Sequence, residues 1–269
     1  MSRIALGIEY DGSAYSGWQQ QSHARSVQAE LQDAVRAVAD HPVELTAAGR
    51  TDAGVHALMQ VAHFDSDAAR PPHAWALGAT AATANDLTVL WALPVPDRFH
   101  ARFSALSRTY LYRVLNRPLR PALERRRVGW VRRPLDVGAM HRAVQHLLGE
   151  NDFSSFRAAE CQSSTPMRRL LEAEVSRHGE TVEFKVRANA FLHHMVRNLV
   201  GSLLQVGTGE RPEDWMAELL EARDRRQAGP TAPPQGLYLA AVEYPPEFAL
   251  PSQAQACGRL GSHSGGGPP

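Results

Sequence analysis

One short stretch concentrates residues that can do chemistry: Ala48-Gly-Arg-Thr-Asp-Ala-Gly-Val-His56. Asp52 stands two residues after Arg50 and between Gly49 and Gly54. Glycines let a backbone turn sharply and let a ligand come close. A carboxylate beside a guanidinium stays charged at neutral pH, which suits a nucleophile or a base. The same letters also describe an ordinary Asx-type hairpin turn, the simpler reading on spacing alone. Arg197 lies among Met195, Val196, Leu199 and Val200, where an arginine is costly unless it is paired. A buried partner carboxylate is one reading; the alternative is a side chain that snorkels to solvent at a helix edge. Tyr110 offers a flat ring and a phenol, although Tyr112 and Val114 share its face and a core role fits that pattern. His193 and His194 are adjacent, which matches neither an i,i+4 metal pair nor H-E-x-x-H, so both are expected to pack or to face a ligand. Cys161 and Cys257 form no C-x-x-C pair, and Cys161 is expected to be an inert thiol. The sequence has no dinucleotide fingerprint and no Walker loop, so neither a cofactor nor a metal is expected.

Periodicity supplies the elements that must carry these residues. Arg3–Tyr10 alternates, with Ile4, Leu6, Ile8 and Tyr10 on one face of a strand. Ser26 predicts the N-cap of a helix bearing Val27, Leu31, Ala34, Val35 and Val38 at helical spacing. Val43–Ala48 and Met59–Asp65 read as strands around the Asp52 loop, His73–Thr83 as a helix and Leu87–Leu93 as a strand. That β-α-β-β-α-β order is the ferredoxin-like pattern. It then recurs, as strand Arg108–Asn116, helix Asp136–Leu148, and strands Arg169–Arg177 and Thr181–Ala188. Helices His193–Val206 and Pro212–Arg223 and strand Leu237–Tyr244 complete the second round. The expected fold class is therefore α+β: two ferredoxin-like (RRM-like) βαββαβ halves, residues 1–104 and 105–250, with mainly antiparallel sheets flanking a central cleft. The tail, 251–269, is expected to be disordered.

Composition narrows the function classes. With 43% hydrophobic residues in 269, the chain can build a core and is not a disordered protein. No apolar run approaches the roughly 20 residues that cross a bilayer, and MSRIALGIEYDG does not read as a secretory signal, so a cytoplasmic protein is expected. Basic and acidic residues, 29 and 28, nearly cancel, yet Lys185 is the one lysine. Arginine presents a planar fork suited to phosphates and bases. The clusters Arg125–Arg127, Arg132–Arg133 and Arg168–Arg169 permit a nucleic-acid partner without demanding one.

The string AAGRTDAGVHA resembles the catalytic motif of the bacterial tRNA pseudouridine synthase A family. YDGSAYSGWQQQ (Tyr10–Gln21), FHARFSALSRTYLYRVLN (Phe99–Asn116), GENDFSSFR (Gly149–Arg157), ANAFLHHMVRNLVGSLLQVG (Ala188–Gly207) and APPQGLYLAAVEY (Ala232–Tyr244) are similar to the same family, in family order. The resemblance implies isomerisation of uridine to pseudouridine at positions 38, 39 and 40 of the tRNA anticodon stem-loop, by a homodimer of two-part α/β subunits. It implies that Asp52 is the essential catalytic residue and that Arg50 displaces the target base. It further implies that Tyr110 stacks and handles a proton, that Arg197 pairs with the aspartate, and that Leu237 lines the pocket. The reaction breaks the N1–C1′ bond and rejoins the uracil through C5, which calls for no second substrate and no cofactor. Arg168 and Arg169 are expected to hold the RNA backbone. Two further function classes remain open at this stage. One is a non-catalytic RNA-binding protein of two RRM-like halves, although no RNP1-type aromatic run is present. The other is a glycosidic hydrolase, which ordinarily uses paired carboxylates where this loop offers one.

Overall fold

The structure, a computed structural model, describes residues 1–251. The first half runs β1 (Ser2–Tyr10), α1 (Val27–Ala39), β2 (Thr46–Ala47), β3 (His56–Ser66), α2 (Pro72–Ala82) and β4 (Leu87–Val95). The second runs β5 (Ser107–Asn116), β6 (Gly129–Val131), α3 (Val137–Gln145), β7 (Gly149–Asp152), β8 (Met167–His178), β9 (Thr181–Ala188), α4 (Met195–Gly207), α5 (Trp215–Ala222) and β10 (Leu237–Glu243). Local chemistry sets the boundaries. The Ser26 hydroxyl accepts from the Ala29 N–H at the start of α1, and the Asp136 carboxylate accepts from the Ala139 N–H at the start of α3. Alternation holds in β9, where Val182, Phe184, Val186 and Ala188 are buried and the residues between them are partly exposed.

The two sheets expected from the sequence are one. All the described strands join in the order β4-β1-β3-β10-β5-β9-β8-β7, with β2 on β3 and β6 on β5, and the result is a mixed α/β fold on a largely antiparallel open sheet. The fusion comes from a short parallel junction, Tyr238 opposite His56 and Leu239 opposite Ala57, which seats β10 against β3. Within each half the strand order repeats, β4-β1-β3-β2 and β10-β5-β9-β8.

Two local expectations change. The strand predicted over Val43–Ala48 shrinks to Thr46–Ala47, because side chains of α1 satisfy Leu45 instead of a ladder: its N–H donates to Gln32 and its carbonyl accepts from Gln28. The helix predicted from His193 begins at Met195, since His194 adopts a left-handed φ of 60°. The short strands β6 and β7 carry no periodicity long enough to read. The tail expected to be disordered lies, from residue 252, outside the described residues, as does Cys257.

The apolar core lies between the sheet and the helices, and includes Leu6, Ile8, Leu31, Trp75, Tyr112, Phe184, Met195 and Leu199. α4 is buried nearly all round and reaches the chain that leads into β10 through Gly201. A Cβ built on Gly201 would lie 1.7 Å from the Pro230 carbonyl oxygen, so backbone meets backbone there. Elsewhere, His63 is buried on β3; its Nδ1 accepts from the Ala101 N–H, and its ring lies edge-on to Phe99.

Two outcomes follow for stability. Gly201→Ala lowers stability by about 1–3 kcal/mol or more, because carbonyl and helix must separate, whereas Gly49→Ala, whose Cβ meets nothing within 4 Å, leaves the melting temperature unchanged. Burial, with the Arg3 charge adding, pushes His63 down from 6.5 to about 4. Its folded value lies below its unfolded one, so the unfolded chain binds more protons and stability falls as pH drops from 6.5 towards 4. The loss amounts to about 2–3 kcal/mol, and denaturant titrations of the parent and of His63→Gln across that range measure it as the part that disappears in the variant.

Candidate active site

Asp52 sits in the loop between β2 and β3, and two sets of contacts fix that loop. From below, the Tyr10–Trp18 segment braces it: Tyr10 Oη and Thr51 Oγ1 lie 2.7 Å apart, and the Trp18 N–H donates to the Thr51 carbonyl at 3.0 Å. Gly17, at φ 97°, comes so close to Thr51 that a Cβ would sit 2.7 Å from its carbonyl oxygen. Within the loop, Gln60 donates to the Gly49 carbonyl, and Gly54 takes φ 76° against Pro234. Below the loop His56 is buried, its Nδ1 accepting from the Gly12 N–H while Nε2 faces the carbonyls of Arg126 and Gln235. That arrangement assigns a neutral ring, and burial pulls the pKa of His56 down in agreement, so the nearby Asp11 carboxylate meets no imidazolium.

The Asp52 side chain does not close a turn. It reaches the first turn of α4, which belongs to the other half of the chain. Arg197 Nη1 donates to Oδ2 at 3.0 Å, His194 Nε2 lies 3.3 Å from Oδ2, and His193 Nε2 lies 3.4 Å from Oδ1. Arg197 is itself clamped, Nε donating to the Ala232 carbonyl at 2.8 Å while its own carbonyl accepts from the Ala232 N–H. A carboxylate at a helix N-terminus also meets the positive end of the dipole. Its side chain keeps 24% of its surface open, so a ligand can reach it. Burial draws His194 down, with the charges of His193 and Arg197 adding to that against the pull of Asp52, so His194 meets the carboxylate as a neutral ring. Asp52, His193 and His194 bring possible ligand atoms within 4.8 Å of one another, a spacing a metal ion could use, but the Arg197 guanidinium on the same carboxylate opposes a second cation there.

Tyr110 points from β5 on the face shared by Tyr112, and it is buried, with Phe191 edge-on at 5.0 Å. Its hydroxyl makes no hydrogen bond among the described residues. Burial, with the charges of Tyr10 and Asp52 adding, raises its pKa, so the phenol stays protonated. Leu237 pairs with Tyr112 across β10 and β5 and is buried on that face. Arg50 is exposed and reaches only Gln162, at 3.5 Å. Arg168 and Arg169 differ. Arg168 folds back on its own loop, donating to the Thr165 and Met167 carbonyls and to the Ser163 hydroxyl, whereas the exposed Arg169 side chain makes no ion pair among the described residues.

The structure thus brings together Asp52, Arg197 and Tyr110 and adds His193 and His194, which helical spacing could not find because both precede the helix. Burial works against ionisation of Cys161, yet the N–H groups of His193 and Ser163 and the Arg157 charge bring the thiol below its usual value.

With that geometry in place, comparison with known proteins is informative. The sequence model of a family described as tRNA pseudouridine synthase matches residues 7–104 and 143–245. The chain belongs to the tRNA pseudouridine synthase family. Members of this family are isomerases that convert uridine to pseudouridine in tRNA. The chain is 58% identical over 253 residues, 93% of its length and 98% of the relative's, to tRNA pseudouridine synthase A of Xanthomonas euvesicatoria pv. vesicatoria (strain 85-10). It is 56% identical over 252 residues, with the same coverage, to the protein of that name from Stenotrophomonas maltophilia (strain R551-3). Both stretches matched by the family model contain residues of the site described above: Asp52 in the first, His193, His194 and Arg197 in the second.

In this synthase-family chain, Arg197→Leu removes the guanidinium from Asp52 and the donor from the Ala232 carbonyl. The expected loss is about 1–3 kcal/mol. A double-mutant cycle with Asp52→Asn should return a coupling energy of about 0.5–3 kcal/mol by chemical denaturation; a zero coupling would show that the pair does not hold the two halves together.

Proposed function

We propose that this chain isomerises uridines 38, 39 and 40 in the anticodon stem-loop of tRNA, with Asp52 as the reacting carboxylate. The observation that carries this reading is a solvent-reachable carboxylate held by Arg197, beside a buried tyrosine ring that has no internal hydrogen-bond partner.

A uridine in or beside a stem must leave the stack, at a cost of a few kcal/mol. Stacking on Tyr110, with Leu237 behind, recovers roughly 1–3 kcal/mol of it. Arg50, exposed at the rim, is placed to fill the gap left by the base. Asp52 then attacks C1′ as the N1–C1′ bond breaks with its electron pair left on the uracil, or removes a sugar proton as the same bond breaks to give a glycal, or adds to the uracil ring across its C5–C6 double bond; the base is afterwards rejoined to C1′ through C5. Arg197 places a fixed positive charge 3.0 Å from the carboxylate, where it orients the reacting oxygens once water is expelled. Because burial holds the Tyr110 phenol protonated, its part in moving the C5 proton is a relay: the hydroxyl oxygen takes up the proton leaving C5 as the phenol gives its own to water, and no phenolate is formed.

We read the chain as two ferredoxin-like halves, residues 1–104 and 105–250. The repeated strand order β4-β1-β3-β2 and β10-β5-β9-β8 supports that division, with the site in a cleft at their junction. The synthase works in the cytoplasm, where its tRNA substrate is, and as a homodimer; the second assignment rests on family resemblance. Among the described residues no helix is long and apolar enough to cross a membrane. RNA is gripped through its backbone, with Arg169 free to meet phosphate and Arg168 holding the loop beside it.

The decisive experiment incubates purified protein with unmodified tRNA and maps pseudouridine position by position. The parent should convert uridines 38–40, and Asp52→Asn should bind tRNA with parental affinity and convert none. Conversion by Asp52→Asn would remove the carboxylate from the reaction, and release of free uracil would mark a hydrolase. Arg169→Ala should weaken tRNA binding and lower the salt dependence of binding by about one unit of slope, which filter binding across a salt series reads directly.

A further inference from the structure

Arg108 is a buried cation that the proposed chemistry does not use. It lies two residues before Tyr110 on the same face of β5 and is 9% exposed. Among the described residues no carboxylate pairs with it. Instead its terminal nitrogens donate to four backbone carbonyls: Nη2 to Ala48 at 2.9 Å and Arg102 at 2.6 Å, and Nη1 to Ala105 at 3.2 Å and Asn189 at 2.9 Å. Burying an arginine without a counter-charge is costly, and burial pulls its pKa down accordingly. A surface ion pair or an apolar residue would stabilise the fold at lower cost, so the distribution of its partners is informative. Ala48 immediately precedes the Gly49–Asp52 turn. Asn189 opens the segment that carries Phe191, His193 and His194 into α4. Arg102 and Ala105 belong to the connection between the halves. One planar fork therefore joins both loops that deliver the site to the strand that carries Tyr110.

We propose that Arg108 is a positioning residue, which sets the distance between the Asp52 loop and the segment leading into α4 and so aligns the carboxylate with Tyr110. This rests on the reading of Asp52 as the reacting carboxylate. Among the described residues every hydrogen bond of the Arg108 guanidinium goes to a backbone carbonyl, so its removal changes geometry without removing a reacting group. A lysine keeps the charge and most of the volume but cannot address four carbonyls in one plane.

The test compares Arg108→Lys, Arg108→Ala and Asp52→Asn in full-length protein, using unmodified tRNA. In both Arg108 variants kcat should fall roughly 10²-fold with KM unchanged, the size expected of a misplacement of about 1 Å. Added guanidinium, well below denaturing concentrations, should restore part of kcat to Arg108→Ala and none to Asp52→Asn. Hydrogen exchange should quicken together at the amides of residues 49–54 and 189–194, while those of β9 keep their protection. Parental kcat in folded Arg108→Lys overturns the proposal. So does quickened exchange confined to one of the two segments, or a loss of kcat that merely tracks the unfolded fraction. If Arg108→Ala does not fold, Arg108→Lys carries the test alone. Activity in Asp52→Asn would sink the reading of Asp52 instead, with the exchange result still deciding whether Arg108 holds the two segments.

Discussion

The site depends on one charge pair closed between residues 145 apart in sequence, Asp52 and Arg197. Each group offsets part of the cost of placing the other there. Arg197 lies on a helix buried almost all round, and Asp52 projects from a glycine-bearing loop with no side-chain cap of its own. An unpaired guanidinium in such surroundings would be strongly destabilising. The pair therefore couples two properties usually argued separately. The contact that, on the proposed reading, makes the carboxylate chemically useful is also the contact that holds the loop of one half to the first helical turn of the other. Ala232 completes the arrangement by bonding to both the side chain and the backbone of Arg197.

Much of the surrounding structure is scaffolding for that geometry. The Tyr10–Trp18 segment supports the loop from beneath through Thr51 and Gly17. The chain leading into β10 passes beside the site, touching Gly54 with Pro234 and Tyr112 with Pro233. β10 then lies between β3 and β5 and makes the sheet continuous. A continuous sheet is a stiffer frame than two sheets hinged at a cleft, and the proposed reaction, which turns and reattaches a base, would require the carboxylate and Tyr110 to keep their separation. His194 contributes in a second way, since its left-handed backbone lets two consecutive imidazoles precede the helix and face the same carboxylate.

How much of this could be read in the sequence depended on whether the signal was local. β9 was legible to the residue because alternation over Thr181–Ala188 is a property of one segment. The helix cap at Ser26 was legible for the same reason, whereas Asp136, read as the first helical residue, is the cap of α3. The strand at Val43–Ala48 was over-read: apolar residues there are buried as expected, but the side chains of Gln28 and Gln32 take the hydrogen bonds a strand would have made. The single sheet was not legible, since its junction consists of two residue pairs between distant strands. At the site, spacing alone left Asp52 as a turn residue and Tyr110 as a core aromatic; family resemblance gave them roles, and the fold brought them together. His193 and His194 were singled out, but their meeting with Asp52 was not legible, because the test applied was metal-ligand spacing and the partner carboxylate lies in a distant loop. Arg108 was missed because nothing in a strand pattern marks an arginine whose partners are all backbone.

The central claim is that position, not merely charge, makes Asp52 reactive. Asp52→Glu keeps the carboxylate and lengthens its arm by one methylene, so single-turnover conversion of bound tRNA isolates geometry from binding. The account predicts a loss of roughly 10²-fold or more in the conversion rate with unchanged affinity for tRNA. Conversion at the parental rate would contradict it, because a carboxylate that works from a displaced position is not one that Arg197 and the loop hold in place.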